Sequence, residues 1–293
     1  MGETTLRQAL GEFQAVYMPL RNYAPRTRIE YINDLEDLMQ FLEKAGIKRV
    51  GEVSLPDLER YQAELDNRGL TGSTRKRKTI SIRTFFNFLH RSGYVHNNVS
   101  NRLIPPYSEN TIPRVLTQTE YQRLISICSQ NIRDHAVIEL VLQTGIRLSE
   151  LVRLNIYDID LPEGDELGIV RIICGGGRKS RNLPLNSKAS QALANYLQIR
   201  PASPTSIFFV NRFGTPLGPR GVQKIVQKYM TKAGIRGASV QSLRHTFGVH
   251  HAVRGTSLRT IQEVMGFKDI RSTEIYVILA KQMMRKELEE HAL

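Results

Sequence analysis

The chain has 293 residues, 41% hydrophobic and 24% charged, with 41 Lys and Arg against 28 Asp and Glu for a formal charge of +13 and a pI near 9.9. That length predicts about two domains, each able to bury a core, and no run approaches the roughly 18 apolar residues of a membrane span. The opening MGETTLRQAL lacks a signal peptide's apolar stretch, and two cysteines, Cys128 and Cys174, make neither a disulfide framework nor a zinc site. A reduced, cytoplasmic protein with no membrane association and no metal is expected.

In chain order, the first part reads as wholly helical. Short helices are expected over 5–17 and 55–67. Residues 25–45 begin at Pro25, carry Ile32, Leu35, Met39 and Leu42 at helical spacing, and stop at Gly46. Residues 73–91 repeat the pattern with Ile82, Phe85, Phe86 and Leu89, opened by Arg75-Lys76-Arg77-Lys78 and closed by Gly93. Periodicity then disappears between Asn97 and Pro113, which predicts an interdomain linker over 101–114 after a helical domain of residues 1–100.

The second part, 115–293, mixes classes. Helices fit 117–129, 134–144 and 148–153, before a β-like run Ile169-Val170-Arg171-Ile172-Ile173. Gly175-Gly176-Gly177 reads as a hairpin tip, Asn182-Leu183-Pro184-Leu185 as the return strand, and Ile207–Val210 as a third strand. Helices at 187–199, 219–233, 241–253, 257–265 and 272–278 complete an α-rich domain. The fold class is therefore mostly α with a small β-sheet.

Charge is unevenly spread along this framework. From Leu167 through Gln262 there are 15 Lys and Arg and no Asp or Glu; from Asn67 through Ser108 there are eight and again none. Two long acid-free stretches are the footprint of a polyanion partner, most economically double-stranded DNA. The candidate contacts are Arg75, Lys76, Arg77, Lys78 and Arg83 in the first stretch and Arg178, Arg181, Arg220, Lys224 and Lys228 in the second. On 219–233, Arg220, Lys224, Lys228 and Lys232 recur every four residues beside a core stripe of Val222, Ile225, Val226, Tyr229 and Met230, a row that suits either phosphates or solvent.

Some chemistries are excluded by what is missing. Metal-dependent nucleases need clustered carboxylates, yet none stands between Glu166 and Glu263. The glycine run lacks the Gly-Lys-Ser/Thr ending of a P-loop. Phosphate chemistry without metal or cofactor leaves arginines to hold charge and a side chain to attack.

Three segments carry that combination: Thr144-Gly145-Ile146-Arg147-Leu148-Ser149-Glu150-Leu151, then Leu243-Arg244-His245-Thr246-Phe247, then Met265-Gly266-Phe267 followed by Ser272-Thr273-Glu274-Ile275-Tyr276. In order and spacing these boxes closely resemble those of the tyrosine recombinases, the lambda-integrase and Xer group, and the resemblance covers essentially the whole chain. It implies a helical core-binding domain followed by a catalytic domain, no cofactor, and DNA cleavage and rejoining through a 3′-phosphotyrosyl link. Tyr276 would be the nucleophile, Arg147 and Arg244 the clamp on the nonbridging oxygens, and Glu150 the residue that orients the clamp. It also implies a homo-tetramer on paired inverted half-sites, assembled by exchange of a C-terminal tail helix bearing Ile278, Leu279, Met283, Met284 and Leu288.

Three positions depart from the family pattern. The histidine three residues before the second arginine is Gln241, which cannot shuttle a proton. The histidine or tryptophan after Gly266 is Phe267. The lysine of the hairpin tip, general acid for the leaving 5′ oxygen, falls on Gly176; Lys179, or less aptly Arg178, could take its place, while Lys179 equally matches a second basic position of the family whose role is a phosphate contact. The alternative is a catalytically impaired DNA-binding or architectural protein; a type IB topoisomerase-like enzyme would share the chemistry but not the assembly.

Overall fold

The computed structural model describes residues 4–108, 112–161, 167–173 and 180–290, without the side chains of 286–288 and 290. Gly176, Arg178 and Lys179 lie outside the described residues. The chain divides into two compact units, Met1–Thr111 and Ile112–Leu293. Among the described residues, no helix is long and apolar enough to cross a membrane.

The first unit is helical throughout. Helix α1 (Leu6–Glu12) opens on a Thr5/Gln8 capping box and runs through a π-helical turn, Phe13–Tyr17, into α2 (Met18–Leu20). The turn swings Phe13 into the core, against Phe85 and Phe88 at 5.4 Å. Helices α3 (Pro25–Lys44), α4 (Leu55–Asn67) and α5 (Gly72–Arg91) follow. The periodic residues expected to face inward do so: Ile32, Leu35, Met39 and Leu42 of α3 and Ile82, Phe85, Phe86 and Leu89 of α5 are all buried.

The basic opening of α5 behaves differently from the expectation of a DNA-facing cluster. Lys78 falls on the core side of α5, only 7% exposed, with Nζ 2.8 Å from Asp37 and 3.3 Å from Asp34. Arg77 also pairs with Asp34, and Arg75 with Asp66 at 2.7 Å. Arg83 donates to the carbonyls of Leu103 and Asn101, holding the segment after α5 against it. An acid-free run in sequence met carboxylates from α3 and α4 in space. Lys76 alone of these five is exposed and free of any ion pair among the described residues.

The second unit contains α6 (Gln118–Cys128), α7 (Ile132–Thr144), α8 (Leu148–Leu151), a sheet, and then α9 (Ser187–Ile199), α10 (Pro219–Lys232), α11 (Val240–Val253), α12 (Leu258–Met265) and α13 (Arg271–Glu290). The antiparallel sheet has the order β1 (Ile159–Asp160), β2 (Gly168–Ile172), β3 (Arg181–Leu185), with Val170 opposite Leu183. Buried α7, with Val137, Leu140 and Val141, runs through the core between α9 and α11.

Two expectations are corrected here. The third strand is Ile159–Asp160, and Ile207–Val210 is not in the sheet. Phe208 and Phe209 are both buried rather than alternating, and the Phe208 and Val210 amides donate to the Leu154 carbonyl and the Tyr196 hydroxyl. The last helix runs on past residue 278 to Glu290. Its apolar positions divide: Leu279 and Ala280 are buried, while Ile278, Met283 and Met284 stand substantially exposed.

Candidate active site

The site is built where α7 ends. Gly145 caps that helix at φ +61°, a conformation that costs glycine little, and the chain re-enters a helix two residues later with Arg147 at the N-cap of α8. This reversal sets the Arg147 backbone amide over Glu150, at 3.0 Å from Oε2, while its Nη1 donates to Oε1 at 2.8 Å. Nη2 donates to the Gly266 carbonyl. Glu150 thus holds Arg147 by main chain and side chain together.

Arg181 joins the same carboxylate. From β3 its Nη1 and Nη2 lie 3.0 and 2.8 Å from the two Glu150 oxygens, and its Nε 2.6 Å from the Val264 carbonyl. With its side chain 10% exposed, Arg181 is a buried strut and not the open DNA contact expected. Burial pushes the Glu150 carboxyl up, but hydrogen bonds from Arg181 and the Arg147 amide outweigh it and hold the pKa at about 2.

Arg244, on α11, is 2% exposed and donates to the carbonyls of Gly145 and of Met265, the latter at 2.6 Å. Burial, with Arg147 nearby, lowers its pKa to about 10, so the guanidinium stays charged at neutral pH. Three guanidiniums therefore meet the carbonyls of Val264, Met265 and Gly266. These close α12, where a helix exposes unpaired acceptors and the negative end of its dipole. Gly266 makes the approach possible: at φ +68°, a Cβ there would lie 2.7 Å from Arg147 Nη1 and 2.9 Å from the Arg181 guanidinium carbon. Among the described residues, Arg147 and Arg181 bond the one carboxylate of Glu150 while Arg244 is held by carbonyls, an arrangement rich in positive charge for an anionic guest.

Phe267 lies beside the clamp, its ring centroid 5.0 Å from the Arg244 and 5.8 Å from the Arg147 guanidinium carbon. Tyr276, on α13, is fully buried. Its ring centroid is 6.1 Å from that of Phe267, and its hydroxyl 3.0 Å from His245 Nδ1. Burial raises the phenol pKa to about 12 against the opposing pull of Arg244 and Arg147. Gln241 is exposed and lines, with Arg147, Ser149, Arg244 and Phe267, a cavity of about 440 Å³. An adjoining cavity of about 550 Å³ shares Leu148 and Gln241 and extends along α10 past Arg220, Gln223, Lys224 and Gln227.

The structure therefore brings together Arg147, Glu150, Arg244, Phe267 and Tyr276, with Gln241 at the rim, and adds two residues. The sequence offers Arg181 as a DNA contact, and His245, which follows Arg244 as the family resemblance has it, as a residue that helps position its box. Each is visible only through partners 31 residues away in sequence. Of the α10 cations, Arg220 and Lys224 are exposed without an ion pair among the described residues, whereas Lys228 is half exposed but lies 3.5 Å from Asp134.

Within the second unit, buried arginines on a shared carboxylate beside a buried tyrosine make a centre suited to binding a phosphate. The chain belongs to the Phage integrase family, which matches residues 114–283, and residues 10–93 match the Phage integrase N-terminal SAM-like domain. It is 34% identical over 283 residues to a tyrosine recombinase XerC of Bacillus licheniformis, covering 92% of this chain and 91% of that protein. To a XerC of Bacillus subtilis it is 32% identical over 283 residues, with the same coverage. The fold is shared with XerH recombinase bound to a palindromic difH substrate (TM-score 0.75, 20% identity, 95% of this chain and 83% of that one). It is likewise shared with a lambda integrase dimer on a COC′ core site (TM-score 0.76, 15% identity, 91% and 96%).

Proposed function

We propose that this chain is a site-specific recombinase that cleaves and rejoins double-stranded DNA through a 3′-phosphotyrosyl intermediate on Tyr276. The observation that carries this reading is the convergence of Arg147, Arg244 and the Tyr276 side chain on one buried, arginine-rich centre. A scissile phosphate in the 440 Å³ cavity would meet two planar guanidiniums able to hold its nonbridging oxygens and the charge that grows on them in the transition state. Their positions are set in advance by Glu150 and by the carbonyls that end α12.

Beyond the centre, Arg220, Lys224 and Lys76 are the open cations suited to the DNA backbone. Lys179 supplies the proton to the leaving 5′ oxygen in this reading, with Arg178 as a phosphate contact. The partner is a duplex with paired inverted half-sites, bound by four copies in the cytoplasm and linked by exchange of the tail of α13. The exposed Ile278, Met283 and Met284 support that exchange.

The test starts from duplexes selected out of a random-sequence library. The selected site is then made with a nick, so that a short 5′ fragment diffuses away after attack. The parent should form a covalent adduct stable in denaturing gels, and Tyr276→Phe should bind equally but form none. Sequence-selective binding without any adduct would favour the noncatalytic alternative. Relaxation of supercoils without site preference would favour a topoisomerase.

A further inference from the structure

We infer that His245 is a catalytic residue, its Nδ1 accepting the phenolic proton of Tyr276 as the tyrosyl oxygen attacks phosphorus. This assignment rests on the reading of Tyr276 as the nucleophile. The two groups are already in contact: hydroxyl and Nδ1 are 3.0 Å apart, within the reach a general base needs, and Tyr276 is fully buried beside it.

The position where the family resemblance expects a histidine holds Gln241, whose amide can hydrogen-bond but cannot take up a proton. On α11, His245 is four residues on, one turn along the same face. Gln241 opens to the cavity, whereas His245 is half-buried against the nucleophile. The imidazole is thus offered one turn deeper than the family pattern, on the tyrosine side of Arg244.

The surroundings keep that imidazole neutral and hence able to accept. Burial, then the adjoining Arg244, lower its pKa. The charged and titratable groups around it are Arg244 on α11, Tyr276 on α13, and Arg147 with its Glu150 and Arg181 partners beyond the tyrosine. Further along α11, His251 is engaged elsewhere, its Nδ1 3.2 Å from the Thr256 hydroxyl. Acceptance at Nδ1 requires the tautomer protonated at Nε2.

In the forward step the bond from the Tyr276 oxygen to phosphorus forms and the bond from phosphorus to the 5′ oxygen breaks. The phenolic proton passes to Nδ1, giving an imidazolium, and the departing oxygen is protonated by a lysine ammonium or water. On religation the 5′ hydroxyl attacks, loses its proton to that same donor, and the imidazolium returns its proton to the tyrosyl oxygen.

The test measures single-turnover adduct formation between pH 5.5 and 9 on the nicked, library-selected duplex. The parent rate should rise with pH through the imidazole's titration and then level. His245→Gln, close in size and still a hydrogen-bonding partner, should be slower by about 10² at neutral pH and should rise with pH without levelling. His245→Ala should regain rate on addition of imidazole, and both variants should retain duplex binding. In the free protein, the ¹⁵N resonance of Nδ1 should shift in Tyr276→Phe. A His245→Gln variant with the parent's rate and pH profile overturns the inference, as does an unchanged Nδ1 resonance. If instead the parent forms no adduct, or Tyr276→Phe still forms one, the nucleophile assignment fails and takes this inference with it.

Discussion

Arg181 and Glu150, 31 residues apart in sequence, form a two-bonded pair at 3.0 and 2.8 Å beneath the clamp arginine. The pair ties β3 to α8, and the third bond of Arg181, to Val264, ties both to the end of α12. Arg147 is thereby positioned from three elements at once. Arg181→Ala would leave a buried carboxylate half-paired, which typically costs about 3 kcal/mol. The thermal midpoint should fall, and adduct formation should fall further than duplex affinity. Equal losses in affinity and cleavage would place Arg181 in DNA contact instead.

The same carboxylate gives the second unit an acid-sensitive joint. Folded Glu150 titrates at about 2 against an ordinary 4.5, so its contribution to stability is complete above about pH 5 and is lost as the pH falls toward 2. Between pH 5 and 3 the parent's thermal midpoint should drop more steeply than that of Glu150→Gln, which has no proton to gain. Asp37, held at about 2 by Arg68 and Lys78 against the opposing effect of burial, adds the same trend in the first unit and is common to both proteins. Parallel curves would rule out the Glu150 joint.

Periodicity made most of the helices legible, because burial of one face is written into apolar spacing. Side-chain destinations were not, as Arg75 to Lys78 demonstrate. Helical rotation puts Lys78 two positions from solvent-facing Lys76 and turns it inward, where Asp34 and Asp37 from α3 meet it. Neutralising each singly separates the roles. Lys78→Ala should lower the first unit's stability by about 1–3 kcal/mol, leaving buried Asp34 and half-buried Asp37 each short of a partner. Lys76→Ala should leave stability unchanged and reduce the log-log salt slope of DNA binding by about one. The reverse pattern would restore the whole cluster to the DNA face.

The three boxes that build the candidate site were legible because each places its residue at a chain reversal or helix position that the backbone itself enforces. The tail was less so: α13 continues without a break past Tyr276, and a helix of that length carries buried and exposed apolar residues together. Deleting residues 281–293 should preserve binding to one half-site and reduce cooperative filling of paired sites in a gel-shift titration. Unchanged cooperativity would assign Met283 and Met284 to the tail's own protomer.

The closest constraint on Tyr276, the proposed nucleophile, comes from a glycine. Gly248, one turn after Arg244 on α11, faces the Tyr276 ring, and a Cβ at that position would lie 3.0 Å from three of the ring carbons. The ring is fully buried and packs near Phe267, so it has little room to retreat. Gly248→Ala should therefore push the phenol a few tenths of an ångström and strain its 3.0 Å hydrogen bond to His245. Helix propensity favours alanine here by up to about 1 kcal/mol, while overpacking costs about 1–3 kcal/mol, so a net loss of stability is expected. Displacement of a reacting group is more costly still, and cleavage should slow by about tenfold or more with duplex affinity intact. A Gly248→Ala protein that cleaves at the parent rate would mean that Tyr276 leaves this packing before it attacks, so that the buried position is a resting place for the side chain and not its reactive one.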